Sequence, residues 1–227
     1  MKIWVFVEGE SDRLALAALW SAWSEALHQS GWGIRVVPLQ DKSRYFRKIG
    51  PHAAQKLAEG PRDLVVGLPD LYPNRPYEGT EFEHRDLVGL QNVQKQLVSK
   101  GLHQVYGEMD SVKTMQRFFP SALKHDLEML LLASADPLRL RLKTKDSLGN
   151  WRKPPEDQNQ DKPPKRVVED LFRTKLGRAY LDTTDAAAIL RNTTLRDVIF
   201  DGRGTLQCPA FRSAVDWVVE QTGVAGY

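Results

Sequence analysis

The sequence of 227 residues predicts an α/β fold in which a mostly parallel sheet lies between layers of helices. Short apolar runs rich in β-branched residues alternate with longer segments whose apolar residues recur at helical spacing. These longer segments suffice for the crossover connections that parallel strands need. Acidic residues follow the first and third apolar runs. Since open α/β sheets bind ligands at the carboxyl ends of their strands, we expect a functional site at that edge.

The first strand is predicted at residues 3–7, where the apolar run IWVFV is typical of a strand buried on both faces. The acidic sequence EGESD (8–12) follows it, and a helix is predicted over 11–28. The acids have two interpretations. They favour a helix start through the helix dipole, or they form a carboxylate set for a divalent cation. Glu8, at the strand end, is the strongest single candidate for such a site.

Later segments continue the alternation. The predicted elements are a strand at 34–39, a helix ending near 59, a strand at 64–68, a helix at 81–100, strands at 102–109 and 116–120, and a helix at 121–135. The right-handed crossover rule places the ends of the first and third strands on the same sheet edge. We therefore expect Asp70, just after the third strand, to approach Glu8. The alternative for Asp70 is a loop acid that caps a turn.

The pattern changes after residue 137. Leucines alternate with basic residues over 138–143, which predicts an exposed strand, and 145–165 is charged and rich in proline. Helices are predicted at 166–176, 184–190 and 211–220. We therefore divide the chain into an α/β core (1–142), a mobile basic and proline-rich loop (143–165), and a helical part packing on the core (166–227).

Composition narrows the function classes. The net charge of +3 and the pI near 8.9 permit nucleic-acid binding, although the basic residues crowded into 139–178 also fit a solvated face. A single cysteine, Cys208, excludes an internal disulfide, which is consistent with the reducing cytoplasm. We expect the Cys208 side chain to be packed in the core. The sequence has neither an apolar run of about 18 residues nor a signal-peptide pattern, so no membrane association is expected.

Several motifs are similar to known families. VEGESD (7–12) resembles the V-E-G-x-[ST]-[ED] start of Toprim domains, the Mg²⁺-dependent fold of topoisomerases, primases and overcoming-lysogenization-defect (OLD) nucleases, and LPDLYP (68–73) matches the second Toprim element. Residues 117–137 are similar to the F-x-P-x-x-x-x-H-E-F-E-A-L-L-F-x-D-P block of the Toprim-related domain-of-unknown-function family 4276. Residues 163–167 and 206–218 resemble the P-S-K-R-I and C-P-x-F-x-x-W-[ILV] elements of that family. The resemblance covers nearly the whole chain, in order.

The sequence departs from these patterns at three places. The Toprim D-x-D is DLY (70–72) here, so Tyr72 stands in place of the second acid, as is usual in the smaller family. The H-E-F-E block is HDLE (125–128), in which Asp126 replaces the first Glu and keeps the negative charge on a shorter side chain. The segment PKR (164–166) lacks the serine of P-S-K-R.

The resemblance implies a three-layer Toprim-like fold with a helical C-terminal extension, and metal-assisted cleavage of phosphodiesters. Carried over by motif, the implied catalytic residues are Glu8, Asp70 and Glu128, and the implied ligands of Mg²⁺ or Mn²⁺ are Glu8, Asp12, Asp70 and Glu128. Lys165 and Arg166 are implied to bind phosphate or nucleic acid, with Glu10, His125 and Tyr72 in supporting positions. Structural alternatives remain: Glu128 pairs with an arginine, His125 is a hydrogen-bonded helix histidine, and Lys165 and Arg166 are solvated.

The resemblance also suggests partners. The sequence has no G-x-x-x-x-G-K-[ST] loop, and by analogy we expect a separate ATPase subunit in bacterial defence against phage or mobile DNA. Nucleic acid is the expected substrate, with DNA favoured over RNA, and the oligomeric state is left open. The alternative function is a non-catalytic Toprim-like module that binds nucleic acid or regulates a partner ATPase.

Overall fold

The computed structural model describes residues 1–106, 108–158 and 161–227, and for 108–110 it describes the backbone only. Its sheet has four parallel strands in the order β2-β1-β3-β4. The strands are β1 Lys2–Val7, β2 Gly33–Pro38, β3 Leu64–Gly67 and β4 Phe118–Pro120. All four carboxyl ends therefore lie at one edge, and the predicted parallel α/β architecture is confirmed.

Helices cover both faces of the sheet. They are α1 Glu10–Leu19, α2 Ser21–Gln29, α3 Lys42–Glu59, α4 Leu87–Tyr106, α5 Glu108–Met115, α6 Glu128–Ala133, α7 Ala135–Arg141, α8 Pro164–Leu176, α9 Ala187–Leu190, α10 Leu195–Ile199 and α11 Pro209–Thr222. A π-helical turn, Asp182–Ala186, precedes α9, and single 3₁₀ turns span Arg75–Tyr77 and Pro155–Asp157. None of the helices in the described part of the chain has both the length and the apolar character that crossing a membrane requires.

Helices α3 and α4 form the layer on one face of the sheet. Tyr45 and Phe46 of α3 pack with Leu90 and Val98 of α4 in an apolar core beneath them. The two helices cross closely, because a Cβ built on Gly101 would lie 2.6 Å from the carbonyl oxygen of Gly50. Only glycine allows this approach.

The second and larger core lies on the other face and joins the two ends of the chain. Trp20, between α1 and α2, stacks on Phe211 of α11 with ring centroids 6.2 Å apart and an angle of 9° between the rings. Apolar residues of α6, α8, α9 and α10 complete this core. The predicted three-layer fold with a helical C-terminal extension is therefore confirmed.

The strand predicted at 102–109 is wrong. Helix α4 continues to Tyr106, Gly107 lies outside the described residues, and residues 108 and 109 belong to α5. Leu102 is fully buried beside Val98, its neighbour one helical turn earlier. Gly101 does not end the helix; it is the residue that lets α4 approach α3.

Two predictions for residues 121–143 also need correction. Leu138 and Leu140 belong to a helix, α7, which buries Leu138 and leaves Leu140 71% exposed. The helix predicted at 121–135 forms only from Glu128 to Ala133. Residues before it are extended because the amides of Ser121 and Leu123 donate to the carbonyl oxygens of Gly67 and Pro69.

The remaining helix predictions differ mainly at their ends. The helix predicted at 11–28 is interrupted at Trp20, which separates α1 from α2. The helix predicted at 81–100 begins later, at Leu87, after a segment of turns. The helices predicted to end near 59 and to span 166–176 and 211–220 correspond to α3, α8 and α11.

The described residues of the proline-rich segment form mostly irregular structure, but Glu156 anchors them to the core. This side chain is 1% exposed, and its carboxylate accepts hydrogen bonds from the amides of Ala210 and Phe211 at 3.0–3.2 Å. Both amides lie in the first turn of α11, where backbone N–H groups have no partner within the helix. Glu156 therefore connects the segment to the start of the last helix.

Candidate active site at the carboxyl edge of the sheet

The ends of β1 and β3 bring two acids together, as the sequence predicted. Glu8 directly follows β1, and Asp70 follows β3 by three residues. The backbone amide of Asp70 donates to Oε1 of Glu8 over 3.0 Å. The Oδ1 atom of Asp70 is buried and has no hydrogen-bond partner among the described residues. An unpartnered buried carboxylate oxygen is costly, so it indicates a site that binds something.

Two further acids lie in the first turn of α1 and have different surroundings. Asp12 is 8% exposed, and its Oδ2 accepts a hydrogen bond from the amide of Gly9 over 2.8 Å. Glu10 is exposed and pairs instead with Arg13, whose Nε donates over 2.7 Å. Asp12 therefore belongs to the acidic site, and Glu10 lies outside it.

The segment after β4 adds Asp126 and Glu128. Leu123 bridges to Asp70 as in a parallel pair, which carries the following residues to the same sheet edge. The Oδ2 atom of Asp126 accepts from the amide of Lys165 over 3.1 Å, whereas its Oδ1 atom is buried without a partner among the described residues. Glu128 is 3% exposed at the start of α6 and forms no ion pair with any arginine that the structure describes.

Burial and mutual repulsion perturb the acids at the ends of β1 and β3. Burial raises the pKa of Glu8 to about 8, with Lys42 opposing the shift and Asp12 adding to it. Burial, followed by the charges of Glu8 and Asp12, raises the pKa of Asp70 well above its usual range. Burial also raises the pKa of Asp12, against the hydrogen bond from Gly9. A cation placed among these groups would favour their ionised forms.

The acids after β4 show the same effect. Burial raises the pKa of Asp126 to about 6 and that of Glu128 to about 8. Lys165 opposes both shifts, and its Nζ lies 3.3 Å from Oδ2 of Asp182. Burial disfavours the charged form of Lys165, but Glu128 and Asp182 outweigh this and raise its pKa. Lys165 is therefore held as a cation beside the acids.

Sequence reasoning missed two residues of this site, Asp126 and Lys42. Lys42 is 7% exposed at the start of α3, and its Nζ donates to the carbonyl oxygens of Leu71 (2.8 Å) and Pro73 (2.9 Å). Burial lowers the pKa of Lys42 to about 8, and the charges of Glu8 and Asp70 oppose that shift. A signal existed for each: Lys42 follows the end of a strand, and Asp126 occupies the acidic position of the HDLE block.

A cavity of about 400 Å³ opens beside these acids. Its lining includes Asp70, Asp126, Lys165, Tyr72 and His125. The rings of Tyr72 and His125 lie 5.3 Å apart and also line a second cavity of about 400 Å³. Tyr72 and His125 thus form a wall common to both cavities.

The structure also places two further residues of the predicted site, His125 and Arg166. His125 is 4% exposed and precedes α6, so it is not a helix histidine, and burial lowers its pKa. Arg166 is exposed and does not line the cavity, unlike its neighbour Lys165.

The residues at this edge fit a divalent cation in an open site. Among the described residues, no group of three or more His, Cys, Asp or Glu side chains is arranged to hold a metal ion by itself. Mg²⁺, however, is commonly held by one or two carboxylates together with water and substrate phosphates. The unpartnered Oδ1 atoms of Asp70 and Asp126 suit that arrangement, because carboxylate oxygens are the ligands that such hard cations prefer.

Comparisons with known proteins agree with this architecture. The C-terminal region of the Burkholderia pseudomallei OLD protein matches with a TM-score of 0.51 and 16% identity, over 98% of this chain and 98% of that chain. The C-terminal region of the Xanthomonas campestris pv. campestris OLD protein gives a TM-score of 0.48 and 16% identity, over 97% of this chain and 95% of that chain. At this identity the first match shows a shared fold. No curated protein matches significantly. The model of the family described as "Domain of unknown function (DUF4276)" matches residues 7–218, and the chain belongs to that family.

Proposed function

We propose that the acidic edge is the active site of a Mg²⁺- or Mn²⁺-dependent nuclease subunit that hydrolyses phosphodiester bonds. One observation carries the proposal: acids from three separate segments, some buried and some half-buried, converge there, and two of their oxygens are buried without partners among the described residues. These acids are Glu8, Asp12, Asp70, Asp126 and Glu128. Membership of a Toprim-related family and the resemblance to OLD-type nucleases support the same chemistry.

In this proposal the residues have separate roles. Glu8, Asp12, Asp70 and Glu128 are the acids that would hold the cation, together with water and substrate phosphate, and Asp126 adds a second unpartnered oxygen. A bound Mg²⁺ or Mn²⁺ supplies positive charge that activates a water molecule and stabilises the leaving oxygen. Each carboxylate that ionises on cation binding releases its proton to solvent, so the raised pKa values couple binding to pH.

Other side chains prepare the site for an anionic substrate. The ammonium of Lys165 lines the cavity and can bind a phosphate oxygen. Lys42 holds the turn after Asp70 through the carbonyl oxygens of Leu71 and Pro73, which anchors the backbone next to Asp70. Tyr72 and His125 line the cavity next to the acids and restrict where a nucleotide can lie.

The test is a cleavage assay on plasmid DNA, linear DNA and RNA with Mg²⁺ or Mn²⁺, with and without the expected ATPase. Glu8→Gln and Asp70→Asn keep side-chain size but remove a charge, and each should lower the rate by at least about 100-fold. Glu25→Gln, an exposed acid on α2, is the matched control and should leave the rate unchanged. If neither site variant changes the rate of cleavage, these acids do not form the active site.

The alternative function is a non-catalytic module that binds nucleic acid or regulates an ATPase. Tyr72 in place of the second Toprim acid favours this alternative, as does the lack of a preformed metal cage in the described part of the chain. Calorimetric titration with Mn²⁺ separates the two functions. Binding that disappears in Glu8→Gln supports the nuclease, whereas no Mn²⁺ binding and no cleavage support the module.

The expected setting is also part of the proposal. We propose that the chain works in the cytoplasm with a separate ATPase subunit, in defence against phage or mobile DNA, and that DNA rather than RNA is its substrate. Co-purification of the ATPase with wild-type protein, and ATP-dependent cleavage by the mixture, would support this setting. Full cleavage by the isolated chain without ATP would show that cleavage does not require the ATPase.

A further inference from the structure

The layer formed by α3 and α4 is almost free of acidic residues. Helix α3 has 18 residues, of which five are Lys or Arg and one, Glu59, is acidic. Helix α4 has 20 residues, of which two are Lys and none is acidic. In the whole chain, by contrast, 32 Lys and Arg residues are nearly balanced by 29 acids. Helices α3 and α4 together therefore carry a net positive charge.

The exposed surface of these helices contains two connected depressions. One, of about 290 Å³, lies where α3 and α4 cross and is lined by Arg47, Lys100 and Gln104 among others. The second, wide and about 720 Å³, extends along α4 past Lys95 and His103 and shares Lys100 and Gln104 with the first. Among the described side chains, the only carboxylate that lines either depression is that of Glu81.

The basic side chains here are available to an external anion. Arg47, Lys95 and Lys100 are exposed and form no ion pair with a described residue. Lys48, the next residue on α3 after Arg47, is half-buried and lies 3.4 Å from the amide oxygen of Gln40. Lysine, arginine and amide side chains are the groups that most often contact phosphates and sugars of nucleic acids.

Helix α3 connects this surface to the acidic edge. Helix α3 begins there with Lys42, which contacts the turn after Asp70, and then runs back along the sheet. A nucleic-acid backbone whose scissile phosphate lay at the acids could thus extend over the α3–α4 layer. Duplex DNA suits an extended basic surface because it has about one negative charge per 1.7 Å of its axis.

We propose that the exposed face of α3 and α4, defined by Arg47, Lys48, Lys95 and Lys100, is a docking surface for the phosphate backbone of duplex DNA. The proposal rests on the nuclease function only for the identity of the polyanion. Docking itself needs neither a metal ion nor cleavage, so it can be tested separately.

The experiment measures binding of the full-length protein to a labelled DNA duplex of about 30 base pairs by fluorescence anisotropy, in EDTA and over a range of NaCl concentrations. The test variant replaces Arg47, Lys48, Lys95 and Lys100 with Ala. The control variant replaces four exposed bases outside this layer with Ala, and thus loses the same net charge. These bases are Arg35, Lys145, Arg191 and Arg196.

We expect the test variant to bind at least about 30-fold more weakly near 100 mM NaCl, and its plot of log affinity against log salt to be less steep by about 3. The control variant should lose less than about threefold. Equal losses in both variants would mean that net charge alone matters, and no loss in the test variant would place the DNA elsewhere. Either result overturns the proposal.

Two further arms identify the ligand. A duplex RNA of the same length shares the phosphate chemistry, and weaker binding to RNA supports DNA as the natural ligand, whereas tighter binding to RNA contradicts it. Polyglutamate that displaces DNA as well as unlabelled duplex does would indicate an acidic protein partner and would also overturn the proposal. Cleavage that survives in the test variant leaves the nuclease function standing.

Discussion

Replacing Gly67 with Ala is expected to destabilise the protein and the site edge together. Gly67 ends β3, and a Cβ built on it would lie 2.0 Å from Oε1 of Gln94 and 2.6 Å from the Tyr45 hydroxyl. Gln94 is fully buried, accepts from Tyr45 over 2.7 Å, and donates to the carbonyl oxygen of Ser121 over 2.8 Å. The new methyl group must displace Gln94 and break both hydrogen bonds.

The magnitude follows from these contacts. Overpacking a filled core costs about 1–3 kcal/mol, and each buried polar group left without its partner costs about 1–3 kcal/mol more. With one overpacking term and two lost hydrogen bonds, we expect Gly67→Ala to lower the free energy of unfolding by at least about 3 kcal/mol, a large share of the about 5–15 kcal/mol of a typical domain.

Urea denaturation followed by tryptophan fluorescence measures this loss. Gly33→Ala, in β2, is the matched control, since a Cβ there meets no atom within 4 Å and should change stability by less than about 0.5 kcal/mol. A loss below about 1 kcal/mol for Gly67→Ala, with an unchanged denaturant dependence, would refute the packing of Gln94 against β3.

Three further predictions concern buried charges. Burial raises the pKa of Glu156 to about 7, so the folded state retains a proton that the unfolded state loses above about pH 4.5. This group should lower the free energy of unfolding by up to about 3 kcal/mol between pH 4.5 and 7. In pH-dependent urea denaturation, Glu156→Gln should make the fall over that range smaller by this amount, while the acids of the proposed site keep their own contribution. Asp185 is 0% exposed and accepts hydrogen bonds from Arg141 and Arg178, which outweigh the effect of burial and lower the pKa of Asp185 to about 2. Asp185→Asn should therefore lower the free energy of unfolding by about 2–4 kcal/mol near pH 7, measured by thermal unfolding. A loss below about 1 kcal/mol would contradict a stabilising role for these ion pairs. Lys42→Met should lower the free energy of unfolding by about 1–3 kcal/mol, because it removes two charge-assisted hydrogen bonds to the turn after Asp70. Hydrogen exchange should then become faster at the amides of Leu71 and its neighbours. Unchanged exchange there would contradict the proposed role of Lys42.

The sequence was sufficient to predict the first part of the site because the signals there are local. Five consecutive apolar residues define β1, and they place Glu8 at a strand end without reference to the rest of the fold. The apolar run of β3 does the same for Asp70. Parallel pairing of β1 with β3 then brings these two acids together.

The position of Asp126 could not be predicted in the same way. Residues 121–135 have apolar spacing that suits a helix. They begin extended because the amides of Ser121 and Leu123 bind carbonyl oxygens beyond the end of β3, which is a contact between distant parts of the chain. The strand predicted at 102–109 failed for a similar reason, since the close packing of Gly101 on Gly50 decides that α4 continues.

The missing second acid of the D-x-D pattern has a structural counterpart at this edge. Where that pattern has its second Asp, Tyr72 lies with its ring against His125, and the neighbouring carboxylate comes from Asp126 instead. Asp126 is close enough for its charge to add to the raised pKa of Asp70. In the proposed site, the acids therefore depend on the pairing of β4 with β3 rather than on one short motif. Because Gly67 accepts the hydrogen bond from Ser121 that begins this extended segment, packing at Gly67 and the arrangement of the acids are physically linked.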